Sequence, residues 1–445
     1  MKYLIENAQI VNEGEIVTGH VLVDGDRIKC ISEDKISVDE DVVVIDATGK
    51  YLLPGVIDDQ VHFRDPGLTH KGSIHSESRA AVAGGVTSFM DMPNTIPQTL
   101  TQQILEEKYK KANNESIANY SFFMGASNDN LEEVLKTDPK TVCGVKVFLG
   151  ASTGNMLVDN QDTLEEIFSK CKMLIAIHSE NETIIQQNIA AYKEKYGDDV
   201  PLSCHPDIRS AEACFSSTEK AVNLALKNNT RLHVLHLSTE KELSLFSNLI
   251  PLNQKHITAE VCVHHLWFCD EDYEKYGTKI KWNPAIKKRS DRDALFNALC
   301  NGKIDIVATD HAPHTREEKD NSYFKAPSGG PLVQHSLVAM CELAKEHGLP
   351  LTFVADKMCH APATCFCVEE RGYIKEGYFA DLVLLDPNAD QTINPSNILY
   401  KCGWSPFEGI TFSSTVTHTF VNGNLVWCDG NIIEGSHGKR LTFKK

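Results

Sequence analysis

Between about Pro54 and Ala363, short apolar runs close one after another on a residue that carries chemistry: Val61-His62, Val145-Lys146, Ile177-His178, Leu235-His236 and Thr309-Asp310. Runs such as Met173–Ile177, Leu232–Leu237 and Ile304–Ala308 alternate with helix-like stretches at Ser76–Ala83, Asn130–Lys136, Asp162–Lys170 and Ser210–Lys227. Repeated strand–helix units imply a parallel sheet covered by helices. Roughly 300 residues of this kind suit either a closed barrel or an open doubly wound sheet. Polar groups at the C-terminal ends of many different strands favour the barrel, whose active sites are built there. The expectation is an α/β fold, a (β/α)8 TIM-type barrel over residues 54–363.

Both ends of the chain read differently. Val21-Leu22-Val23, Asp24-Gly25-Asp26 and Arg27–Ile31 form a hairpin pattern, and Ala380–Leu385 and Thr419–Trp427 are strand–turn patterns. A length of 445 residues exceeds the usual single domain. Residues 1–53 and 364–445 are therefore expected to assemble one small β-sandwich from both termini.

Composition excludes some partners. A formal net charge of -17 argues against nucleic acid or an anionic membrane surface, though not against a small anion in a locally positive pocket. No stretch approaches the ~20 apolar residues a membrane span needs. Met1–Asn7 meets charge and amide too early for a signal peptide. The fourteen cysteines are scattered without a CxxC pair, which points to reduced thiols and a cytoplasmic location.

Three histidines, a lysine and a carboxylate are costly to bury without a common partner, and a divalent metal is the obvious one. Any one of the 18 histidines is more often a satisfied core or surface residue than a ligand. Lys146 alone could project from an exposed strand end. For all five positions together the bland account weakens.

The motifs carry the reading further. Ile57-Asp58-Asp59-Gln60-Val61-His62-Phe63-Arg64-Asp65-Pro66-Gly67, Met92-Pro93-Asn94-Thr95, His178-Ser179-Glu180-Asn181, His205–Arg209, His233–Thr239, Lys281-Trp282-Asn283-Pro284 and Ala308–His314 resemble, nearly end to end, the dihydroorotases of the amidohydrolase superfamily. The resemblance implies a zinc enzyme with one or two ions per chain. His62 would be a first-strand ligand, and Lys146, carboxylated by CO2, would bridge the metals. His178 and His236 would hold the second ion, and Asp310 would bind metal and act as general base and acid. Arg64, Asn94, Asn283 and His314 would contact substrate, a guanidinium fork at Arg64 suiting the carboxylate of dihydroorotate. More ordinary roles are a salt bridge from Arg64 to Asp65 and a turn at Asn94. The implied reaction is the reversible interconversion of dihydroorotate and N-carbamoyl-L-aspartate, in a possible homodimer.

Two positions depart from the family pattern. Gln60 stands where a histidine ligand is expected, and an amide oxygen is a poorer zinc ligand than imidazole. Pro331, in Ala326-Pro327-Ser328-Gly329-Gly330-Pro331-Leu332, removes a backbone donor from a loop expected to face the substrate. Hydantoinase- or allantoinase-type cyclic amidases share the scaffold. A non-catalytic homologue acting as an assembly subunit is the reading that Gln60 favours.

Overall fold

The structure, a computed structural model, describes residues 1–38, 41–150 and 156–444. Eight parallel strands form its centre. β1 (Val56–Val61), β2 (Val86–Asp91) and β3 pair in chain order. β3 is interrupted at Phe123: Asn119–Phe122 pairs with β2, and Met124–Gly125 pairs with β4 (Val145–Phe148). β5 (Ile175–His178), β6 (Leu232–Val234), β7 (Ile257–Cys262) and β8 (Ile306–Ala308) follow in the same order. Val61 meets His311 in a parallel bridge, and His62 N donates to His311 O at 2.7 Å, so the end of β1 is joined to the residues following β8. These contacts close the (β/α)8 ring.

The covering helices follow from spacing and caps. In Gln161–Lys170 the buried Leu164, Ile167 and Phe168 recur at helical spacing on one face, and Asn160 caps the Thr163 amide. Ile74–Ala83 starts with a Ser73–Ser76 capping box. Apolar residues at the N-terminal ends of the strands, among them Ile57, Leu174 and Ile306, form the barrel floor with Phe366, Leu441 and Phe443. The segment carrying the last two runs beside β3, with Tyr120 N donating to Lys439 O at 3.0 Å and Leu441 N to Tyr120 O at 2.9 Å.

Strands from both chain ends join in one nine-stranded sheet, in which Leu382–Asp386 pairs antiparallel with Tyr51–Pro54. Lys2–Asn12 pairs along its first half with Val42–Asp46 and further on with Tyr51–Pro54. Tyr3 and Phe420 lie three strand pairings apart, yet their ring centroids are 5.2 Å apart. Flat strands at ~4.8 Å spacing could not bring them together. The sheet therefore curls over its own core of Ile5, Val21, Leu52, Leu382 and Leu384. Strands from both termini thus share one continuous sheet that turns back on itself. None of the fourteen cysteines forms a disulfide among the described residues, and no helix there is long and apolar enough to cross a membrane.

Candidate active site

The apolar runs end sooner than their sequence suggests, and the residues just beyond them carry the site. β6 stops at Val234, so His236 lies past it in left-handed backbone at φ +42°, and Asp310 likewise follows β8 at φ +47°. Arg64 sits beyond β1 at φ +66°. Left-handed backbone is uncommon for residues with a side chain and persists where the surroundings hold it. Gln60, His62, Arg64, Asn94, Lys146, His178, His236, Asn283, Asp310 and His314 all line one cavity of about 280 Å³ at this end of the barrel, together with Phe148, Trp282 and the Pro327–Gly329 loop.

One half of the site is made by β4, β5 and the end of β6. His178 Nδ1 lies 3.0 Å from His236 Nε2. On its far side His178 Nε2 is 3.1 Å from Glu180, which also pairs with the buried Arg209. Burial alone would raise the Glu180 pKa, but Arg209 and His178 outweigh it and hold the carboxylate at about 2. An ionised Glu180 facing Nε2 at this distance favours the tautomer protonated on Nε2, which turns the Nδ1 lone pair inward. Burial lowers the pKa of His178 and drives that of His236 well below the ordinary imidazole range, so both rings are neutral, as metal ligands must be. Their separation suits two ligands on one tetrahedral ion, with bonds of ~2.0–2.1 Å. Lys146 is buried, with no hydrogen-bond acceptor or ion partner for its Nζ among the described residues. Burial depresses its pKa to about 7.

The other half is built from β1 and the residues after β8. His62 Nδ1 is 2.8 Å from Asn94 Oδ1, which fixes its proton there and leaves Nε2 facing Asp310 Oδ1 at 3.1 Å. Gln60 Nε2 donates to the same Asp310 oxygen at 3.1 Å, and Cys262 Sγ lies 3.6 Å from Gln60 Oε1. The amide thus works as a hydrogen-bond donor towards Asp310. Asp310 Oδ2 has no such partner among the described residues. Thr309 holds this end of β8 to β1, its hydroxyl donating to Asp58 at 2.6 Å.

Arg64 is not spent on Asp65. That carboxylate accepts from Ile74 N and faces Lys111, whereas Arg64 Nε donates to Pro313 O at 3.1 Å. Its remaining N–H groups lie at the cavity wall beside His314, 3.1 Å away. Burial brings the Arg64 pKa down to about 10, so it stays cationic at neutral pH. Burial and Arg64 together keep His314 neutral.

Several working residues escaped the sequence reading. Lys319 Nζ donates to Pro327 O and Gly329 O at 2.9 and 2.7 Å, and Lys281 Nζ donates to Tyr323 O and Ala326 O, both at 2.6 Å, so two buried lysine side chains pin the loop over the cavity. Gly329, at φ +116°, admits no side chain, since a Cβ would come within 2.7 Å of Ala312 O. Pro331 leaves the loop intact: the next two amides, Leu332 N and Val333 N, converge on His311 Nδ1 at 3.0 and 3.3 Å. Glu180 had a signal, its period-two spacing from the strand-end His178. The lysines had none, because nothing local distinguishes them from surface lysines.

Known proteins resemble the chain along nearly its whole length. A family model described as the amidohydrolase family matches residues 51–426. A dihydroorotase of Methanosarcina acetivorans is 32% identical over 460 aligned positions, covering 98% of this chain and 96% of that protein. A dihydroorotase of Halobacterium salinarum is also 32% identical, covering 97% and 99%. Among solved structures, the L-hydantoinase (dihydropyrimidinase) of Arthrobacter aurescens superposes with a TM-score of 0.92 at 28% identity, covering 99% of both chains.

Proposed function

The chain belongs to the amidohydrolase family, and from that premise we propose that it is a cytoplasmic dihydroorotase, interconverting (S)-dihydroorotate and N-carbamoyl-L-aspartate in pyrimidine biosynthesis. Members of the family are typically metal-dependent, and the facing lone pairs of His178 and His236 fit a divalent ion. Zinc is the proposed metal, held by His178, His236 and Lys146 on one side and by His62 and Asp310 on the other. When bound, it supplies Lewis acidity to the scissile carbonyl and to the attacking water. Lys146 is proposed to be carboxylated: its neutral amine adds to CO2 and loses one proton, turning a buried cation into an anionic ligand.

The protein's own groups handle the remaining work. Asp310, through its open Oδ2, takes the proton of the attacking water and returns it to the ring nitrogen as the C–N bond breaks. Arg64 pairs its spare N–H groups with the ring carboxylate, His314 flanks that pair, and Asn94 and Asn283 orient the ring. Phe148, Trp282 and the Pro327–Gly329 loop narrow the access of bulk water. Gln60 restrains Asp310 by hydrogen bonding in place of a ligand, so the His62 side is proposed to hold metal less tightly.

The observation that carries the assignment is Arg64, a buried guanidinium with unspent donors at the edge of the ligand set. Dihydroorotate has a carboxylate to meet it, and a hydantoin ring has none. The likeness to an L-hydantoinase favours a cyclic amidase of that type as the second reading. Purified protein with zinc and bicarbonate is expected to turn over dihydroorotate and to leave 5-substituted hydantoins nearly untouched; the reverse selectivity would establish the second reading. Zinc-free protein without turnover would favour the non-catalytic subunit. Native mass under the same conditions tests the homodimer suggested by family resemblance.

A further inference from the structure

One layer beneath the cavity, inside the barrel, three side chains from β1, the β6 strand and β7 converge: Asp59, His233 and Glu260, none with any exposed surface. None of them lines the cavity above. His233 Nε2 lies 3.1 Å from Asp59 Oδ2 and 3.5 Å from Glu260 Oε2.

The hydrogen bonds around this cluster define which atoms are left. Thr258 Oγ1 sits 2.7 Å from His233 Nδ1 and directs its own hydroxyl to Leu232 O at 3.3 Å. It therefore accepts the Nδ1 proton, and Nε2 faces the two carboxylates. Glu260 Oε1 is satisfied by His236 N at 3.0 Å and lies 3.3 Å from Cys262 Sγ, while Oε2 has no donor. Both oxygens of Asp59 lack a hydrogen-bond donor as well. No lysine or arginine pairs with either carboxylate among the described residues. Two carboxylates thus face one imidazole nitrogen in a dry interior, an arrangement that needs positive charge between them, carried by a proton or by a metal cation.

We propose that Asp59, His233 and Glu260 form a buried divalent-cation site, distinct from the catalytic one, with zinc as the ion its ligand types suit. Neighbouring ligands on a tetrahedral ion with bonds of ~2.0–2.2 Å lie ~3.3–3.5 Å apart, close to the separations found here. One neutral imidazole and two ionised carboxylates neutralise a divalent charge. The second Asp59 oxygen is available for a further bond. His233 already has the Nδ1 partner that metal-bound histidines require. The ion's role is structural. It ties β1 to β6 and β7 and, through the Glu260 bond to His236 N, steadies the backbone from which a catalytic ligand hangs.

Enclosure makes the test selective. Full-length protein prepared with zinc is treated with a chelator until the cavity metal is gone, and bound zinc is counted by mass spectrometry. One zinc per chain is expected to remain in the wild type and none in Asp59→Asn. Crystals of the untreated wild type, measured on both sides of the zinc absorption edge, are expected to give an anomalous peak between the three side chains. This second measurement stands even if Asp59→Asn fails to fold. Zinc in the cavity with no peak at the buried cluster would overturn the proposal, as would Asp59→Asn retaining the wild-type metal count.

Discussion

The two halves of the catalytic cavity are built to different standards. On the β5–β6 side, His178 and His236 stand 3.0 Å apart, and His178 is braced from behind by Glu180, itself clamped by Arg209. On the β1 side, His62 has an equivalent brace in Asn94, but the residue two positions before it is an amide that donates to Asp310. The difference shows that supporting bonds and ligand atoms are separable. The β1 side has kept the first and given up one of the second, so metal affinity is expected to be concentrated on the side where both survive.

The comparison breaks most visibly if the stronger side is removed. His236→Ala is expected to lower kcat/KM by ~10³-fold, about 4 kcal/mol of transition-state stabilisation, and to abolish zinc retention in the cavity, while Gln60→Ala costs less than ~10-fold. Equal losses in steady-state kinetics would mean that the two halves matter alike. Arg64→Ala should raise KM for dihydroorotate by ~10- to 100-fold, the worth of a charge-assisted pair, with little change in zinc content. Glu180→Gln removes the ionised brace without changing shape, and zinc titration should show affinity weakened by ~10-fold or somewhat more.

Proton uptake sharpens the contrast in another way. With the Lys146 pKa at about 7, the amine is mostly ammonium below that pH and mostly neutral above it. Only the neutral form adds CO2, so reactivation of metal-stripped protein at a fixed concentration of dissolved CO2 should rise about tenfold from pH 6 to pH 8 and then level off. A flat profile would separate activity from Lys146. The smallest effect is expected from Gln60→His, which restores a ligand on the weaker side. It should raise bound zinc towards a second equivalent, with a change in turnover of only a few-fold.

That His62, Lys146, His178, His236 and Asp310 share one cavity was legible in the sequence because each sits at the end of an apolar run, where a parallel barrel gathers its polar groups. The same logic could not reach Asp59, His233 and Glu260. They lie within strands, and there a charged residue reads as a solvent-facing position until the neighbouring strands are known. The curled form of the terminal sheet was equally hidden, since pairing Tyr51–Pro54 with Leu382–Asp386 joins segments more than 300 residues apart. Lys281 and Lys319 owe their roles to the carbonyls of Tyr323, Ala326, Pro327 and Gly329, which they meet only after folding.

The segment around Leu441 and Phe443 has a consequence for how the molecule comes into being. In the order of synthesis it follows all eight strands, yet its side chains complete the floor beneath the first of them. Tyr51–Pro54 likewise must wait for Leu382–Asp386 to emerge. A nascent chain on the ribosome therefore carries an almost finished cylinder with an open, greasy underside, and its exposure to chaperones and to self-association lasts until those late residues are delivered.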